Sequence, residues 1–187
     1  LLLGHLESAV FPALVQEDVR PAIFEYEQAQ ALSREAVRQN KTARLHIAVD
    51  TGMSRIGFQV TEQSADCCAR IAQLPGLEIE GIFSHFATAD EADLTAARQQ
   101  AALFDRFVRM LQERGVQIPI RHMDNSAGIM NFDCHYDMVR AGIALYGLYP
   151  SEQVAASRLE LKPAMQWETK VSMVKTLEPG RSISYGA

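Results

Sequence analysis

The stretch Met138-Val139-Arg140-Ala141-Gly142-Ile143-Ala144-Leu145-Tyr146-Gly147 decides how this chain is read. An apolar run ends on an arginine, and glycine-spaced backbone follows. This is the pattern of a strand that carries a cation to its carboxyl end and then turns with room for an anion beside the main chain. Similar exits recur upstream: Arg55 lies just past the run ending at Asp50, His85 follows Ile82-Phe83-Ser84, and Ser126 follows the run ending at Asp124. Strands are expected over residues 1–4, 19–23, 45–50, 77–84, 118–124 and 138–141. The segments between them read as helices. Residues 25–39 are rich in Ala, Glu, Gln and Arg, and residues 91–113 place Leu94, Ala97, Ala101, Phe104, Phe107, Val108 and Leu111 at helical steps along one stripe.

Repeated βα units with short turns predict an α/β fold, a parallel sheet covered by helices. Four polar anchors at four successive strand exits favour closure into a TIM (β/α)8 barrel, where every exit surrounds one mouth. Such a barrel takes about 200 residues or more, and six of its eight strands are counted here, so a partial barrel is expected. Past Pro150 the character changes. From Leu161 onward Met165, Trp167, Thr169, Val171, Met173, Lys175 and Leu177 alternate as strands do, broken by Pro179-Gly180. The expected division is therefore a barrel over residues 1–157, with a boundary near Ser157, and the start of a β-rich domain over 158–187.

Composition narrows the partner. With 48% hydrophobic and 22% charged residues, a net charge of −5 and 18 scattered Lys and Arg, the chain lacks the basic footprint of a nucleic-acid binder. No apolar run reaches the roughly 18 residues of a membrane span. Cys67, Cys68 and Cys134 have neither the even count of a disulfide framework nor zinc-site spacing, so no metal site is expected and a reducing cytoplasm is the default. A small molecule or a second protein chain is the expected partner.

Four motifs taken together carry a resemblance: Asp50-Thr51-Gly52-Met53-Ser54-Arg55-Ile56-Gly57, Ser84-His85-Phe86, Asn125-Ser126-Ala127 and the Arg140 stretch. The chain resembles the fold-type III alanine racemases over nearly all of its 187 residues. The resemblance implies a pyridoxal phosphate cofactor, interconversion of L- and D-alanine, a supply of D-alanine for peptidoglycan, and a homodimer whose two sites share residues. It also implies that two barrel strands and the lysine bearing the cofactor precede Leu1. Both ends read as cut, Leu1-Leu2-Leu3-Gly4 in one strand and Ile183-Ser184-Tyr185-Gly186-Ala187 in another, so this length alone is not expected to complete the reaction.

The resemblance implies a role for each anchor, and each has a plain alternative. Arg140 would face the pyridine nitrogen and keep it unprotonated, which favours racemisation, whereas the related decarboxylases place a carboxylate there; alone, Arg140 is equally a strand-capping ion-pair partner. Gly142 and Ile143 N–H groups, with the Ser126 hydroxyl, would hold the phosphate; alone, Asn125-Ser126 is an ordinary helix N-cap, itself compatible with an anion. Arg55 would contact the cofactor's phenolic oxygen and the substrate carboxylate through its guanidinium fork, or be an exposed loop arginine. His85 and, behind it, His122 would form a hydrogen-bonded series with Arg140; a lone histidine at a strand end is otherwise a satisfied core residue. Tyr185 would be the catalytic base on the L face, acting in the partner subunit's site, and is otherwise a strand aromatic. Its phenol, with an ordinary pKa of about 10, needs cationic neighbours for that role. His5, His46 and His135 carry no assignment.

Two departures from the family pattern stand out. No lysine here has the context of the cofactor-bearing one, and Ala48 occupies the position, seven residues before Arg55, where many members carry a modified lysine whose negative charge steadies that arginine. Arg55 is therefore expected to need another partner. Serine and broad-specificity racemases share the motifs, and a non-catalytic pyridoxal phosphate-binding barrel is the alternative of a different class.

Overall fold

The computed structural model describes residues 1–133, 135–154, 159–183 and 185. Its spine is one parallel sheet. Strand β1 (Ala22–Ile23) pairs with β2 (Ala43–Asp50), β2 with β4 (Leu77–Phe83), and β4 with β5 (Ile120–His122), while the short β3 (Phe58–Gln59) adds to the end of β2. Single parallel bridges extend the row on both sides, Leu2 to Pro21 and His122 to Met138. The six expected strand positions therefore stand side by side in chain order, the topology of successive barrel staves. The first and sixth are reduced to one bridge each.

Helices cover the outer face. After a 3₁₀ turn (Ser8–Val10) come α1 (Phe11–Gln16), α2 (Tyr26–Arg38), α3 (Glu62–Ile71), α4 (Thr95–Glu113) and α5 (Ser126–Asn131). The period of two in β2 explains the layering. Ala43, Leu45, Ile47 and Val49 point outward into the main core with Leu32, Phe104, Phe107 and Leu111 from the helices. The apolar stripe of α4 is the expected one, and its Phe104, Phe107 and Leu111 are fully buried. Each such side chain contributes roughly 2 kcal/mol of burial. Thr61 caps α3 by accepting from Ser64 N–H at 3.2 Å.

The other face of β2 carries Arg44, His46, Ala48 and Asp50 toward the barrel interior. There the packing is graded. Arg20 and Glu80, with Arg44, Asp18 and Glu78, form an ionic layer near the amino ends of the strands. His46 and His122 lie next, and Ala22, Ala48 and Phe83 form a small apolar cluster toward the carboxyl ends.

Residues 159–183 contain no strand. Alternation alone does not make one. A strand needs a neighbour to take its N–H and C=O groups, and here Trp167, 88% exposed, has no surface to pack on. The boundary near Ser157 lies outside the described residues. Among the described residues no helix is long and apolar enough to cross a membrane, and no group of three or more His, Cys, Asp or Glu could hold a metal ion.

Candidate active site

The carboxyl ends of β2, β4 and β5 open on one mouth, and the segment around Arg140 closes its far side. Arg140 is tied at the backbone by its N–H to Asp124 O (3.0 Å). Its guanidinium then meets acceptors from two segments, the exits of β4 and β5. Nη2 donates to Ser84 O (2.8 Å) and Met123 O (3.0 Å) and lies 3.2 Å from His85 Nδ1; Nη1 donates to His122 Nδ1 at 2.6 Å. The group also lies over the Phe83 ring, which stacks on His122. Burial lowers the Arg140 pKa to about 10, with Asp124 opposing, so the side chain stays cationic.

Both imidazoles beside it are neutral. Burial first, then the charges of Arg140 and Arg55, bring His85 down to about 4; burial, Arg140 and His46 bring His122 to about 2. His122 therefore accepts from Arg140 at Nδ1 and carries its hydrogen on Nε2, while His85 lies between Arg140 Nη2 and the Asn125 amide nitrogen, 3.5 Å from its Nε2. One polar atom is left over: Arg140 Nε–H is buried and has no partner among the described residues. An orphaned buried donor costs about 1–3 kcal/mol unless something in the adjacent cavity accepts from it.

That cavity has a volume of about 430 Å³ and is bounded by His85, Asn125, Ser126, Arg140, Gly142 and Ile143 among others. Ser126 Oγ accepts from Gly142 N–H (3.0 Å) and Ala144 N–H (3.2 Å), which leaves its own hydrogen available to an acceptor. Gly142 N–H is thus already engaged, whereas Ile143 N–H has no partner among the described residues. Space at Gly142 is open, since an added Cβ would meet only Ser126 Oγ, at 3.8 Å. Asn125 is both N-cap and strut. Its Oδ1 accepts from Gly128 N–H (3.0 Å) and its Nδ2 donates to Phe86 O (3.2 Å), fixing the turn that presents Ser126.

Arg55 lies in a smaller adjoining cavity of about 50 Å³ that shares Leu3 and His85 and is floored by Ala48 and Phe83. Its loop is held from below. Asp50 Oδ1 accepts from Gly52 N–H (2.9 Å) and Ser54 N–H (3.0 Å), and Gly57, at φ 122°, folds back so closely on Asp50 that a Cβ would strike the β2 backbone. The side chain itself is exposed and bonds no described residue. Six of the predicted residues, His85, Asn125, Ser126, Arg140, Gly142 and Ile143, thus share one cavity, with Arg55 next door and His122 behind Arg140. Tyr185 stands apart, fully exposed.

Sequence reasoning passed over His46. Its Nδ1 is 2.8 Å from His122 Nε2 and its Nε2 is 3.2 Å from Glu80 Oε2, within the barrel. The available signal was parity: His46 shares the face of Ala48 and Asp50, opposite the aliphatic residues of β2.

Residues 1–150 match the family model of the alanine racemase N-terminal domain. The chain belongs to the alanine racemase family. It is 41% identical to the alanine racemase of Clostridium tetani and 44% identical to that of Symbiobacterium thermophilum, in each case over all of this chain and 48% or 49% of the relative. The solved alanine racemase of Clostridium difficile superimposes with a TM-score of 0.92 at 39% identity, and that of Bacillus anthracis, with bound L-Ala-P, with 0.90 at 32%; both cover 98% of this chain. The chain spans about half the length of the curated relatives it matches. The parallel row of strands is accordingly part of an alanine racemase barrel.

Proposed function

We propose that the complete protein interconverts L- and D-alanine with pyridoxal phosphate, supplying D-alanine for peptidoglycan in the cytoplasm as a homodimer. The observation that carries the cofactor is the orphaned Arg140 Nε–H, a buried donor beside a cavity whose other free donors are the Ser126 hydroxyl and Ile143 N–H. The donor set fits a group with a ring nitrogen at one end and an anionic phosphate at the other. When bound, pyridoxal phosphate supplies an electron-withdrawing ring that makes an amino acid's α-proton removable. Ser126 and Ile143 would hold the phosphate, with Gly142 joining if its bond to Ser126 is exchanged.

Arg140 keeps its proton at neutral pH and would donate a hydrogen bond to the cofactor's ring nitrogen without giving up that proton. That restraint favours proton exchange over competing chemistry. Arg55 would take the substrate carboxylate, a role supported by its free guanidinium at the cavity beside His85. Ala48 offers it no charge, so the ligand's own oxygens are the partner available. Tyr185 would exchange the proton on the L face in the partner's site, and residues 158–187 would begin the β-rich domain that delivers it. The family match ending at residue 150 supports a change of domain beyond that point.

The test is chiral separation after L-alanine is incubated with the protein expressed from its complete reading frame and supplied with pyridoxal phosphate. D-alanine is expected, and its formation should be abolished or severely slowed by Tyr185→Phe. D-serine from L-serine at a comparable rate would make the enzyme a broad-specificity racemase. Cofactor binding without either product would make the barrel a binding protein.

A further inference from the structure

The hydrogen bonds behind Arg140 do not stop at His122. They run through the barrel interior: Arg140 Nη1 to His122 Nδ1 (2.6 Å), His122 Nε2 to His46 Nδ1 (2.8 Å), His46 Nε2 to Glu80 Oε2 (3.2 Å), and Glu80 to Arg20 through Oε2–Nε (3.0 Å) and Oε1–Nη2 (3.1 Å). Both ends are groups of fixed polarity. A guanidinium only donates and a carboxylate only accepts, whereas each imidazole between them can carry its hydrogen on either nitrogen.

The hydrogens therefore have one satisfactory arrangement. Arg140 donates, so His122 Nδ1 must accept and Nε2 must carry the hydrogen. His46 Nδ1 then accepts, its Nε2 carries the hydrogen, and that hydrogen needs an acceptor. Glu80 is the acceptor, and its pair with Arg20 holds its carboxyl below the usual carboxylate range. Burial outweighs Glu80 and keeps His46 toward the neutral form, so the contact is a directed hydrogen bond rather than an ion pair.

The fold makes space for this series at a specific cost in regularity. The pairing of β2 with β4 shifts register between Leu45 and His46, so that His46 comes opposite Gly81. A Cβ at position 81 would stand 2.5 Å from two atoms of the His46 ring.

We infer that Glu80, at the end of the barrel interior away from the cavity, is a positioning residue for Arg140: its carboxylate fixes the tautomers of His46 and then His122, so that a lone pair always faces the Arg140 guanidinium. In Glu80→Gln the terminal group can donate as well as accept. A donating amide reverses both imidazoles and turns an N–H of His122 toward an N–H of Arg140. The catalytic consequence rests on the proposed role of Arg140.

The experiment is nitrogen-15 NMR of histidine-labelled complete protein, cofactor-free and loaded with pyridoxal phosphate, reading which ring nitrogen of each histidine bears hydrogen. In the unaltered protein His46 and His122 should both be neutral with hydrogen on Nε2 alone. In Glu80→Gln, His122 should acquire an Nδ1–H population, and kcat for alanine should fall with KM unchanged. An Nδ1–H His122 in the unaltered protein would overturn the proposal without any variant having to fold, as would a Glu80→Gln spectrum with His122 unchanged. Because tautomers are read without turnover, a protein with both imidazoles as expected but no racemisation would count against the racemase reading alone.

Discussion

Two arginines stand at the same barrel mouth and are held in opposite ways. Arg140 is largely buried, with acceptors from Ser84, His85, His122 and Met123 around its guanidinium. Arg55 is exposed on a loop whose backbone is tied down by Asp50 while its side chain bonds no described residue. The first is set before any ligand arrives. In the role proposed for it, the second would give up side-chain freedom on binding, about 1.5–2 kcal/mol for an arginine, and would be steadied by what it binds. A group that must present one N–H to one ring atom needs the first kind of support; a group that must follow a substrate through a reaction can use the second.

The largest effect should come from the buried member. Arg140→Lys keeps a charge but replaces a planar fork by a point donor that cannot serve the same acceptors, and we expect racemisation by the complete protein to fall by at least about 100-fold. A rate within a factor of a few of the original would show that the fixed fork is not what the reaction needs. Next is Gly81→Ala. The added methyl would crowd the His46 ring and Ile120 O (2.9 Å), and a loss of roughly 1–3 kcal/mol is expected from overpacking of this kind. Chemical denaturation would measure it.

A third expectation concerns pH. His85 and His122 have folded-state pKa values of about 4 and about 2, and burial also lowers His46, against an unfolded value of about 6.5. The unfolded chain therefore binds more protons once pH falls below about 6.5. Stability present above that value should decline as pH drops toward 4, the range over which the unfolded histidines charge and the folded ones do not. Denaturation midpoints at pH 7 and pH 5 would test the sign, and His122→Gln should flatten the slope. The smallest stability effect belongs to the exposed arginine: Arg55→Ala should change unfolding free energy by no more than about 0.5 kcal/mol, yet raise KM for alanine. A large stability loss would mean that Arg55 has structural partners after all.

Much of this arrangement was legible in the residues. The aliphatic run of β2 and the stripe of α4 declare their burial by period, and the polar anchors at strand exits foretold a shared mouth. Elsewhere local pattern was too weak a guide. Residues 138–141 read as a strand but pair through Met138 alone, because the segment turns at once to carry Arg140 inward. Residues 159–183 alternate but form no strand, since pairing is a property of neighbours. Nor does spacing announce that Gly142 N–H, expected to help hold a phosphate, donates to Ser126 Oγ, a contact between residues sixteen positions apart.

Period, spacing and residue chemistry were enough to specify parallel βα staves, the outer core and the identity of the anchors, because these follow from local geometry repeated along the chain. The interior series from Arg140 to Arg20 was not specified that way. Its members come from five separate segments, and nothing in Glu80-Gly81 or His46 announces a partner across the sheet. A register shift between β2 and β4 and the missing Cβ of Gly81 bring them within hydrogen-bonding distance, and once there the buried imidazoles of His46 and His122 have no water to turn to and must be satisfied by their neighbours.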